Sequence, residues 1–171
     1  MPANFLFFPF LYALFSLIFG PVLFPSLRLL FFAPYLIIVF YRRSRLVSLW
    51  HALAAGLIVD AFSSHAFFGI TSLNYCLVAF FLYGQTRNFF EDKLSTLPFM
   101  TFLFSFLSSS FQAILLNFFG YTFPLSLLWV FTDLFLMPFL DAAYGCLLFS
   151  LPFYLYKKIA RIFAFKRSIP K

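Results

Sequence analysis

Five carboxylates, two histidines and two cysteines are the side chains of this chain that could carry proton, metal or thiol chemistry. A metal site needs several such groups converging on one point. His51 and Asp60 are nine positions apart, which on one helix sets them on opposite faces, so they cannot share an ion. His65 stands alone in a polar turn, and Cys76 and Cys146 lie in separate apolar segments, where the expectation is of buried, inert thiols. There is no His-x-x-His pattern, no paired cysteines, no Asp-rich run, no glycine-rich phosphate loop and no G-x-S-x-G elbow. Asp133 and Asp141 could be drawn as a general acid and base, but Pro138 separates them. By omission the chain reads as a non-enzyme, with no cofactor, no metal and no catalytic residue expected.

The elements that carry these residues are set by composition. Hydrophobic residues make up 64% of the 171, charged ones 10%, and mean hydropathy is +0.99. A soluble domain carries about a quarter charged residues, so this chain has too few to wet its surface and reads as an integral membrane protein. Its 32 phenylalanines are what a lipid-facing surface tolerates. The first twenty residues lack the basic start and small-residue cleavage site of a secretory signal, and are expected to form an uncleaved span.

A span needs about 20 apolar residues. The pattern places spans at 5–24, 26–41, 46–62, 67–83, 94–117 and 137–156, with a short interfacial helix at 125–136 broken off at Pro138. The stretch QTRNFFEDK is expected to be a loop in water. The reading is thus all-α: a six-helix transmembrane bundle, residues 1–156, followed by a basic cytoplasmic tail, 157–171. With both termini on one side, eleven of the twelve Lys and Arg residues share that side, Arg28 being the exception. The positive-inside rule makes it the cytoplasmic one. The net charge of +7 then reflects topology and contact with anionic membrane lipids, not nucleic-acid binding.

Packing is expected to be decided at residues 52–69. Ala52, Gly56 and Asp60 recur every four positions and form one helical stripe, small enough at two positions for another backbone to come close. Thr101, Ser105, Ser108 and Gln112 line one face of the fifth span and are expected to pack on other helices through small side chains and hydrogen bonds. Acids inside a span are costly and need partners. Asp60 should lie about 22 Å and Asp141 about 24 Å from the inner ends of their spans. Asp133 is expected at the outer interface, so that Arg28, Asp60, Asp133 and Asp141 gather on the outer side. Arg28 is expected to pair with an aspartate there, Asp60 first.

The succession APYLIIVFY, a short basic loop, GLIVD, a polar turn and FFGITSL resembles the MreD family of rod-shape-determining membrane proteins. The positions that match are Pro34, Gly56, Asp60 and Gly69. Tyr35 stands where that family often has an acid. The resemblance implies a non-enzymatic scaffold of lateral peptidoglycan synthesis in the bacterial inner membrane. Its implied partner is an MreC-like single-span protein. Through that partner it would be linked to the MreB filament, a RodA-type polymerase and a penicillin-binding transpeptidase. The alternative class is the S component of an energy-coupling-factor vitamin transporter, which shares size and six-span layout and would need a ligand cavity near its outer end.

Overall fold

The segment APYLIIVF is apolar on every side, and a helix of that kind is stable only when surrounded. In the computed structural model, which describes residues 6–23, 25, 27–63, 67–89, 96–120 and 126–150, it is the axle of a helical bundle. Every residue from Ala33 to Phe40 is buried. Around this α2 (Ala33–Arg42) lie α1 (Phe7–Leu23), α3 (Arg45–Phe62), α4 (Ile70–Phe89) and α5 (Leu97–Phe118). The sixth, α6, runs over Leu127–Phe149. No strand occurs among the described residues.

Three of these helices, α3, α5 and α6, are long and apolar enough to cross a membrane. The helix α1 is apolar but shorter, with Pro9 in its first turn, where the missing N–H costs nothing, so it does not interrupt the helix. The helix α4 has 20 residues, but Asn74 and its polar end dilute it. That end corrects the expected loop: Gln85–Phe89 continue α4, while residues 90–95 lie outside the described set. His65, Pro152 and the tail 157–171 lie outside it too.

Two further expectations change. The second span does not start at residue 26: α2 begins at Ala33, and residues 27–30 are neither helix nor strand. Pro34 sets the start, because proline suits the first helical turn, where its absent donor is not needed. Ten helical residues cover about 15 Å, half an apolar core of about 30 Å, and the partly exposed residues 27–30 before them carry the chain on as irregular backbone.

The interfacial helix separated at Pro138 is not found, because α6 passes through the proline unbroken. Residues Thr132–Leu136 widen into a π-helical turn, and the Met137 N–H reaches back five residues to the Thr132 carbonyl. The wider turn removes the clash that a proline ring makes with the carbonyl four residues earlier.

Candidate functional site

The helix α4 starts without an acid or a side-chain cap of its own, and its first amides need acceptors. Asp60, near the end of α3, supplies them. Its Oδ2 accepts from the Gly69 N–H at 3.1 Å and the Ser72 N–H at 3.1 Å, and its Oδ1 from the Thr71 N–H at 3.2 Å. Gly69 has φ +95°, a left-handed conformation that lets the turn aim its amides at the carboxylate. A carboxylate at a helix N-terminus is also favoured by the helix dipole.

The same face of α3 brings Gly56 against α4. A β-carbon at Gly56 would stand 2.3 Å from the Ser72 α-carbon and 2.8 Å from its nitrogen. The Ser72 hydroxyl donates to the Leu53 carbonyl at 2.9 Å, a second tie between the helices. Ala52 is fully buried on this stripe, two turns below Asp60. Ala52, Gly56, Asp60 and Gly69 thus form one lock joining α3 to α4.

Asp60 needs no cation, and its geometry gives none. Among the described residues no ion pair joins Arg28, which is exposed, to an aspartate. Amide donors take the place expected for the guanidinium. Asp60→Asn should therefore lower stability by about 2 kcal/mol, since its amide NH2 would face backbone donors. Arg28→Gln should change it by less than about 0.5 kcal/mol. Unfolding of both variants in detergent checks this, and a large Arg28 effect would restore the ion pair.

Asp141 is fully buried. Its Oδ1 accepts from the Leu30 N–H at 2.8 Å, and its Oδ2 from the Ser105 hydroxyl at 2.5 Å. Leu30 belongs to the irregular stretch before α2, whose backbone must find partners inside an apolar bundle. One turn further along α6, Gly145 faces the Thr101 hydroxyl and the Pro34 ring, so that α2, α5 and α6 meet at one point. Thr101, Ser105 and Ser108 are all buried on the expected stripe, Gln112 partly so. Asn74 of α4 donates to the Ser108 carbonyl at 3.1 Å and hydroxyl at 2.8 Å.

The acids do not gather at one level. Ser105 is eight residues into α5, placing Asp141 about 12 Å from the end where Tyr41 bonds Thr96, whereas Asp60 is about 22 Å from Arg45 at that same end. Because α6 is unbroken, Asp133 sits a further 12 Å or so from Asp141 along its axis. Its Oδ2 accepts from the neighbouring Thr132 hydroxyl. Cys76 is half-buried, but Cys146 is exposed, against the expectation of burial. His51 is held by the Tyr35 hydroxyl, 2.9 Å from its Nδ1. Among the described residues no three His, Cys, Asp or Glu side chains could hold a metal.

Beside the Gly69 turn opens a crevice of about 230 Å³ lined by apolar side chains, among them Phe67, Ile70, Leu73, Leu115 and Phe119. Asp60 and Asp141 do not line it: they are turned to amides and a hydroxyl inside the bundle. Sequence reasoning missed Leu30, Thr71 and Ser72 as partners. The left-handed Gly69 was the available signal for the last two, and none exists for Leu30, 111 residues from Asp141.

Fold and site together define an all-helical bundle with three helices able to cross a membrane and two inward carboxylates that organise backbone. No protein-family profile, curated protein or solved structure matches the chain.

Proposed function

We propose that the chain is a multi-pass scaffold of the bacterial cell-elongation machinery, seated in the inner membrane with six spans and both termini in the cytoplasm. It acts by binding an MreC-like single-span partner. Through it the scaffold is linked to the MreB filament, a RodA-type polymerase and a penicillin-binding transpeptidase. The observation that carries this reading is the Gly56–Asp60–Gly69 lock. Three of the four positions through which the chain resembles the MreD family, Gly56, Asp60 and Gly69, are also those that fix α3 on α4, so they read as one folded element. With Asp60 and Asp141 consumed in holding backbone, the protein offers helix faces to a partner, and helices bind one another in lipid by close packing.

Depletion in the native bacterium tests the proposal. Rounded, swelling cells and co-purification of an MreC-like protein are expected. Normal shape together with a vitamin requirement would overturn it in favour of a transporter S component. Introduced cysteines near Arg43 and in the terminal lysine segment should both be labelled from the cytoplasm. Labelling from opposite sides would remove the six-span arrangement.

A further inference from the structure

The helix α3 opens at a basic corner. Arg43 and Arg45 are both exposed, and Asp60, Asp133 and Asp141 all take their hydrogen bonds elsewhere. The Arg45 guanidinium is not loose: it lies 4.1 Å from the centre of the Phe80 ring on α4, a cation–π contact that spans the two helices. The Tyr83 hydroxyl ties the same corner down by donating to the Arg43 carbonyl at 3.1 Å. One positive charge, that of Arg45, is thus fixed at the mouth of the groove between α3 and α4, and exposed Arg43 stands two residues before it on a tied backbone.

Above that mouth the groove is apolar, and among the described residues none covers it. Leu46, Trp50, Leu53 and Leu57 recur at spacings of four, three and four, which makes one ridge on α3. Leu46 is 73% exposed and Trp50 69%. On the α4 side the ring that holds Arg45, Phe80, is also exposed. The ridge from Leu46 to Leu57 is about 16 Å long, close to half of an apolar core of about 30 Å, which is one leaflet. A feature with two exposed cations at one end, one of them held on an aromatic ring, and a leaflet's length of hydrocarbon above them matches one kind of molecule in both charge and length.

We propose that an anionic phospholipid occupies this groove, its headgroup phosphate on Arg43 and Arg45 and one acyl chain along the Leu46–Trp50–Leu53–Leu57 ridge. Phe80 is a positioning residue, since it holds Arg45 beside the groove instead of letting it extend into water. The site is independent of the scaffold reading and would exist in a transporter as well.

Trp50 lies on the ridge and reports on its neighbour. The chain has two tryptophans, so Trp129→Phe leaves Trp50 as the sole tryptophan, excited selectively at the red edge beyond tyrosine absorption. This full-length variant is placed in phosphatidylcholine bilayers, and acyl-brominated phosphatidylglycerol or brominated phosphatidylcholine is titrated in. The anionic lipid should quench Trp50 half-maximally at roughly thirtyfold lower mole fraction than the zwitterionic one, as two arginines at a membrane surface would give. The preference should shrink with added salt. It should fall to about twofold or less in Arg43→Gln/Arg45→Gln, and to an intermediate value in Phe80→Leu. Equal quenching by the two lipids would overturn the site. So would a preference indifferent to salt, a reading taken on the unsubstituted corner and free of any folding defect in the variants.

Discussion

Gly56→Ala is expected to destabilise the protein by about 3 kcal/mol, near the top of what overpacking costs. The new methyl would fall 2.3 Å from a backbone α-carbon in α4, and backbone cannot rotate away as a side chain can. Relief requires the two helices to part, which also lengthens the three hydrogen bonds to Asp60 and the bond from Ser72 to Leu53. Two other glycines calibrate the effect. At Gly20 the obstacle is the tip of the Phe31 ring, a flexible group, so Gly20→Ala should cost less than Gly56→Ala. At Gly84, within α4, nothing lies within 4 Å, and alanine should stabilise by up to about 1 kcal/mol through its higher helix propensity. Unfolding of the three variants in one detergent gives the order directly. If Gly56→Ala matched Gly84→Ala, the close approach of α3 and α4 would be refuted.

What could be read in advance divides along a physical line. The stretch 52–69 was legible because its information is local: residues four apart share a helical face whatever the tertiary structure, so Ala52, Gly56 and Asp60 fall on one stripe. The bonds Asp60 makes were not foreseen, since an acid in an apolar span suggests a cation, and the competing donors are amides that every residue carries. Pro138 failed for a related reason. A proline marks a break only if the hydrogen-bond register stays fixed, and a π-helical turn at Thr132–Leu136 shifts that register by one residue. The start of α2 was within reach, because Pro34 is a first-turn signal, but the apolar run before it reads equally well as helix. The partnership of Asp141 with Leu30 and Ser105 joins three distant segments and leaves no trace in spacing.

That partnership yields the second large effect. Asp141→Ala should cost about 3 kcal/mol, because it leaves buried donors without acceptors. The two donors are not equivalent. The Ser105 hydroxyl can turn back to a carbonyl four residues earlier in its own helix, a bond serines commonly make, so its loss is small. The Leu30 N–H sits on irregular backbone with no second acceptor among the described residues, and it bears most of the penalty. Asp141→Asn keeps an oxygen for Leu30 and can present its amide N–H to the Ser105 oxygen with the direction of donation reversed. It should cost about 1 kcal/mol, as should Ser105→Ala. Stability in detergent ranks the three, and accessibility of a cysteine introduced at Leu29 should rise in Asp141→Ala alone as the stretch before α2 comes free. The comparison separates two roles for one carboxylate. If the structure needs only its oxygen, asparagine suffices; if asparagine proves as damaging as alanine, the charge itself is required. A buried charge required for reasons other than holding Leu30 would contradict the proposed scaffold, in which Asp60 and Asp141 serve architecture, and would point to a site that moves a proton or an ion.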